Sequence, residues 1–250
     1  MSGGLDKNEW LGFVESEIKD FSKKYNMLYR LSERKIYASF EIGCFHALLN
    51  FYNKNAIDVV PKNLKDNCFR YLTTPSGNPN NFSYVHVRLA NNKECEIRQQ
   101  VRVLSHIDDD ICFTPDIVVM RSSEDSVVEC KSIKEYSNGK KGFFYVRSEN
   151  VFAAHECKSM VPFPELMVSF VGTLVVAHKW LENATDRSLL GDEGEHLAPT
   201  LFVGGAASGL HNRLINALQK SMPMNIVDSL YLGRWNLHNR TRKINRFTCP

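Results

Sequence analysis

Residues 151–181 read VFAAHECKSMVPFPELMVSFVGTLVVAHKWL. The stretch begins as an apolar strand, VFAAHECK, is broken by Pro162 and Pro164, and resumes as an apolar run of helical length. Pro164 suits the first turn of that helix, where a missing N–H is harmless. After the polar loop ENATDRSLLGDEGEH, the segment APTLFVGG at 198–205 reads as a further strand. Strand, helix, strand in this order predicts an α/β sheet with helices packed on it.

The pattern extends in both directions. DIVVM (116–120), SVVECKS (126–132) and GFFYV (142–146) are apolar segments of strand length, and GFFYV joined to VFAAHECK through RSEN reads as a hairpin. SYVHVRLA and ECEIRQQVRVLS alternate apolar and polar residues around Asn91-Asn92, which predicts a second hairpin. The segment 61–81 is loop-like towards its end, where Pro, Gly and Asn cluster. Two helices come first. Trp10, Phe13, Val14, Ile18 and Phe21 have helical spacing over 5–25, and a second helix opens at Ser32 as N-cap and runs through ERKIYASFEIGCFHALLNFY. SGLHNRLINALQKS (208–221) predicts the last helix.

A chain of 250 residues with this order suits a single domain: an N-terminal helix at 5–25, a core over roughly 32–205, and a C-terminal helix with a basic tail at 208–250. Apolar residues form 43% of it, enough for a sizeable core. A formal charge of +3 does not by itself mark a polyanion binder, so any such role must be local. The tail GRWNLHNRTRKINR (233–246) holds five Arg or Lys and no acid, which makes Arg240, Arg242 and Lys243 the candidate nucleic-acid contacts; a solvated basic tail is the equal alternative. Seven scattered cysteines without a CxxC pair imply reduced thiols. MSGGLDKNEW lacks a signal pattern, and LMVSFVGTLVVAHKW is too short for a bilayer. A cytoplasmic protein without a membrane partner is expected.

The tripeptide Glu-Cys-Lys occurs twice, at Glu129–Lys131 and Glu156–Lys158, each after an apolar run and each downstream of the lone Pro115-Asp116. Residues i and i+2 of a strand share a face, so Glu-x-Lys sets a carboxylate beside an ammonium. A Pro-Asp on a neighbouring strand can add a second carboxylate. Phosphodiester hydrolysis uses such a set. Mg²⁺ takes hard oxygen ligands, offsets charge on the phosphate and activates water. A lysine beside it can position that water or stabilise the anion.

With Pro115-Asp116, a Glu-Cys-Lys on a later apolar strand, and this element order, the chain resembles the PD-(D/E)xK nuclease superfamily over roughly 32–205. The resemblance implies a restriction-endonuclease-like α/β core: a mixed central sheet flanked by helices, here with an extra N-terminal helix. It further implies an Mg²⁺-dependent nuclease, with Mn²⁺ able to substitute, most simply a DNA endonuclease in restriction, phage defence, mobile-element processing or repair. Oligomeric state is left open, a homo-oligomer included. Asp116 and Glu156 would ligate the metal and Lys158 would position water or offset charge. Glu41, on the helix before the sheet, would complete the metal site; it reads equally as a surface glutamate at a helix edge, although a carboxylate in so apolar a stretch is costly unless paired or metal-bound.

Facing does not choose between the two tripeptides. Glu129 and Lys131 lie one hairpin from Asp116; Glu156 and Lys158 alone run straight into a helix and then a strand. Topology therefore favours Asp116, Glu156 and Lys158, with Glu129 and Lys131 as the alternative pair. Residues 121–142 then form an insertion, and its Glu-Cys-Lys is structural or a substrate contact.

His155 should face away from Glu156 and is read as packed, and Glu165 as stabilising a helix N-terminus. VGGAASGLHN matches no nucleotide-binding loop, and His211 within it reads as surface or cap. Asp108, Asp109 and Asp110 read as a solvated turn. Two rival classes remain: a catalytically silent nucleic-acid-binding or scaffold module on the same fold, and a metal-dependent enzyme acting on a smaller phosphate compound.

Overall fold

The computed structural model describes residues 7–29, 36–75, 78–108, 111–122, 129–131, 143–178, 180 and 194–248. Helix α1 (Lys7–Lys24) buries Trp10, Val14, Ile18 and Phe21 along one stripe and packs on helix α2 (Ile36–Asn55). Helix α2 is apolar on nearly all sides. Phe40, Ile42, Cys44, Phe45, Leu48, Leu49 and Tyr52 are all buried, as suits a helix with neighbours all round. The Ser32 cap lies outside the described residues.

Seven strands form the central sheet: β1 (Ala56–Lys62), β2 (Tyr84–Leu89), β3 (Glu94–Gln99), β4 (Ile117–Arg121), β5 (Val151–Lys158), β6 (Thr200–Val203) and β7 (Asn225–Val227). Their order in space follows the chain. Neighbours from β1 to β5 are antiparallel, and β5–β6 and β6–β7 are parallel. Parallel neighbours need crossovers, and helices α3 (Pro164–Gly172) and α4 (Gly209–Ser221) supply them. Among the described residues the fold is a mixed α/β sheet packed by four helices.

The β2–β3 hairpin forms as expected, with Asn92 in the left-handed conformation that asparagine tolerates. Other elements differ from the sequence-based expectation. Phe143–Arg147 does not pair with β5. It lies in a separate four-stranded sheet with Cys112–Phe113, Val103–Leu104 and Glu129–Lys131, and a 3-10 turn at Ser148–Asn150 leads from it into β5. A strand has two edges, and those of β5 are taken by β4 and β6. AIDVVPK, to which the sequence pattern assigns no element, is β1. It is an edge strand, the position that accepts Pro61. β7 carries the sheet beyond residue 205 to Val227. The helix from Pro164 is regular to Gly172 and then widens into a π-helical turn over Thr173–Ala177, where the Thr173 hydroxyl donates to the Ser169 carbonyl.

Among the described residues no helix is long and apolar enough to cross a membrane. Cys44, Cys68, Cys95, Cys112 and Cys157 are free thiols.

The end of β6 is tied to the end of β5 by backbone bonds: Gly204 N donates to Lys158 O at 3.0 Å and Gly205 N to Met160 O at 2.9 Å. Tyr231, which packs on Trp10 and Phe40, lies over Gly204 so closely that a Cβ there would sit 2.5 Å from its ring. Gly204→Ala should therefore lower stability by about 1–3 kcal/mol through overpacking, read as a reduced urea midpoint with an unchanged slope.

Candidate functional site

Asp116 stands just before β4, between the end of β3 and the end of β5. Its carbonyl accepts from Gln100 N at 3.1 Å, and its Oδ2 accepts from Cys157 N at 2.7 Å. On β5, Glu156 and Lys158 share a face, as the i, i+2 rule requires, and Cys157 between them is buried. The Lys158 ammonium donates to Glu156 Oε2 at 2.7 Å and to Asp116 Oδ2 at 3.5 Å. One cation thus joins carboxylates from two neighbouring strands.

Glu41 reaches the same place from α2. Gln100 Nε2 donates to Glu41 Oε2 at 3.3 Å and to Asp116 Oδ1 at 2.9 Å. Glu41, Gln100 and Asp116 are all buried, whereas Lys158 keeps about a third of its side chain exposed. Glu41 is therefore a buried member of the cluster and not a surface glutamate. Gln100 is the residue that sequence reasoning missed. In ECEIRQQVRVLS it is one polar position among several, and nothing local marks it out.

The electrostatics follow from three acids near one lysine. Burial first, then the Asp116 carboxylate, push the Glu41 carboxyl up to about 8, with the Gln100 hydrogen bond acting against them. Burial and Asp116 also push Glu156 up to about 7, with Lys158 pulling it back. Burial alone would depress Lys158, but the Asp116 and Glu156 carboxylates outweigh it and hold the ammonium well above its ordinary range.

The alternative pair is elsewhere. Glu129–Lys131 pairs antiparallel with Phe143–Tyr145 in the four-stranded sheet, so its strand is not a neighbour of Asp116's strand in the central sheet. The side chains of Glu129 and Lys131 lie outside the described residues. His155 is fully buried on the face of β5 opposite Glu156, against Phe202, and burial pushes its pKa down to about 3, so it is neutral. Glu165 stands in the first turn of α3, and His211, half-buried, in that of α4. In VGGAASGLHN the Ala207 amide donates to Asp228 Oδ2. Asp109 and Asp110 lie outside the described residues.

The basic tail is drawn into the fold. Arg240 donates to the carbonyls of Asp228 and Arg234, both at 2.6 Å. Arg242 donates to Asp228 Oδ1 at 3.0 Å, Asn216 Oδ1 at 3.0 Å and Asn212 Oδ1 at 2.6 Å. These bonds clip the tail to α4 and to the end of β7. Lys243 is exposed, and its carbonyl accepts from Gln219.

Compared with known proteins, the chain matches no family model, no curated protein and no solved structure.

The raised carboxyls carry a pH signature. Glu41 and Glu156 hold protons in the folded state at pH values where the unfolded chain, near 4.5, has released them. Their contribution to stability is full below about pH 4.5 and is lost as the pH rises through about 7 and 8. In EDTA, urea unfolding should become easier from pH 5 to pH 8.5. Glu41→Gln, which does not ionise, should flatten much of that slope. An unchanged slope would contradict the assigned origin.

Proposed function

We propose that this chain is a divalent-metal-dependent phosphodiester hydrolase of the PD-(D/E)xK type, acting on DNA. One observation carries this reading: the Lys158 ammonium bridges Glu156, on β5, and Asp116, just ahead of the neighbouring β4, while Glu41 approaches from the helix preceding the sheet. The order of α2, antiparallel strands β1 to β5, crossover α3 and parallel β6 supports it, because the resemblance implies helix, three or four strands, helix and strand, with one strand more here. DNA as substrate follows from the resemblance.

The donor set fits Mg²⁺ or Mn²⁺. All three acids offer hard oxygens, and three carboxylates against one ammonium leave a negative surplus where burial already resists ionisation. Among the described residues no three such groups stand ready-made around one point, since Glu156 is turned to Lys158 and Glu41 to Gln100. Asp116, Glu156 and Glu41 would hold the cation, which when bound supplies Lewis acidity and a more acidic water. The other parts belong to the chain. Asp116 is held in place from both sides by the Cys157 amide and Gln100. Lys158, partly exposed, can orient a water towards a phosphate and offset the charge that grows on it.

Lys158→Ala should lower single-turnover cleavage of plasmid or single-stranded DNA by at least about a hundredfold, with DNA binding and circular dichroism retained. The loss falls on turnover because the ammonium matters most as charge develops. Lys131→Ala should retain most of the rate, and Asp116→Asn should weaken Mg²⁺ binding measured by calorimetry. Cleavage lost in Lys131→Ala but kept in Lys158→Ala would reverse the assignment. A parent protein that cuts no DNA or RNA with Mg²⁺ or Mn²⁺ would favour the silent-module alternative.

A further inference from the structure

Gln100 is held in an uncommon state. It follows β3 directly, it is buried, and its φ is +52°, a left-handed conformation that glutamine rarely takes. Such backbone is strained and persists where the surroundings enforce it. Here its own amide N–H is bound to the Asp116 carbonyl, and the side chain is delivered between two acids. A primary amide has two N–H donors. Gln100 uses Nε2 on Asp116 at 2.9 Å and on Glu41 at 3.3 Å. Among the described residues, Gln100 is the one hydrogen-bond partner of the Glu41 carboxylate.

The chemistry of the group matters as much as its position. A lysine or arginine placed there would also hold the two acids together, but it would neutralise them and compete with a cation. A neutral amide holds them without removing their charge. We infer that Gln100 is the positioning residue of the metal site: its amide clamps Glu41, on α2, to Asp116, ahead of β4, so that a carboxylate from outside the sheet joins the ligand set. The inference rests on the metal-dependent reading above. It assigns no contact with the reacting atoms; Gln100 acts through Glu41 and Asp116, as partners that orient metal ligands do.

The test is a binding cycle that does not depend on turnover. Mn²⁺ and Mg²⁺ affinities are measured separately by calorimetry for the parent, Gln100→Gly, Glu41→Gln and the double variant. Glycine removes the amide and accepts φ +52°, so the backbone is relieved and not strained. Gln100→Ala, with the same loss but the strain kept, reports any effect of the backbone alone, and thermal unfolding in EDTA verifies that each variant is folded. Gln100→Gly should weaken cation binding by about 10- to 100-fold. In the Glu41→Gln background the same change should alter affinity within about twofold, because the carboxylate that Gln100 alone holds is already gone and Asp116 is still held by the Cys157 amide. A merely structural role predicts losses that multiply instead. Parent-like affinity in Gln100→Gly, or multiplying losses, overturns this inference and leaves the metal reading standing. A parent that binds neither cation overturns both.

Discussion

Three carboxylates and one ammonium share a partly buried site, and like charges repel more strongly there than at the surface. Glu41, Asp116 and Glu156 come from three different elements, and Lys158 stands with them. The rest of the structure answers that repulsion. The Cys157 amide and the Gln100 side chain hold Asp116, and Lys158 holds Glu156. Burial first, and then the charge of Asp116, raise the pKa values of Glu41 and Glu156. A divalent cation would offset the repulsion among the three acids.

Delivering these groups to one place is the work of the sheet. Asp116 enters β4 as Glu156 and Lys158 leave β5, and because these strands are antiparallel neighbours the start of one meets the end of the other. Helix α2 is buried on nearly every side, so its one acidic position in the core must meet partners, and Gln100 is there. Tyr231 over Gly204 then closes α1 and α2 onto the strand end that carries Lys158 O.

The same economy of partners governs the tail. A guanidinium offers five donors in a rigid fork. Arg242 spends its donors on Asp228, Asn212 and Asn216, and Arg240 on two carbonyls. Asp228, with the Ala207 amide, the Ser229 hydroxyl and Arg242 around it, is held below the usual carboxylate range despite its burial. Within a run of basic residues that reads as a free strip in one dimension, Arg240 and Arg242 clasp the fold while Lys243 stays exposed.

Much of this was legible in the sequence, and for a local reason. Periodicity marks which side of an element is buried, so the stripe of α1, the β2–β3 hairpin and the shared face of Glu156 and Lys158 all follow from spacing along the chain. Pro164 marked the start of α3 because proline fits a first turn. Between two identical tripeptides such rules are silent, since Glu129–Lys131 and Glu156–Lys158 have the same spacing and facing. Only strand pairing separates them, and pairing depends on which edges are already taken. β5 lies inside the central sheet beside β4, while Glu129–Lys131 pairs in another sheet. Gln100 was invisible for the same reason. Its two acceptors are 59 and 16 residues away in the chain, and its left-handed backbone matches no preference of glutamine. What lies within one element is set by the residues of that element; what meets across elements is set by packing, and packing brought Gln100 to Glu41 and Asp116.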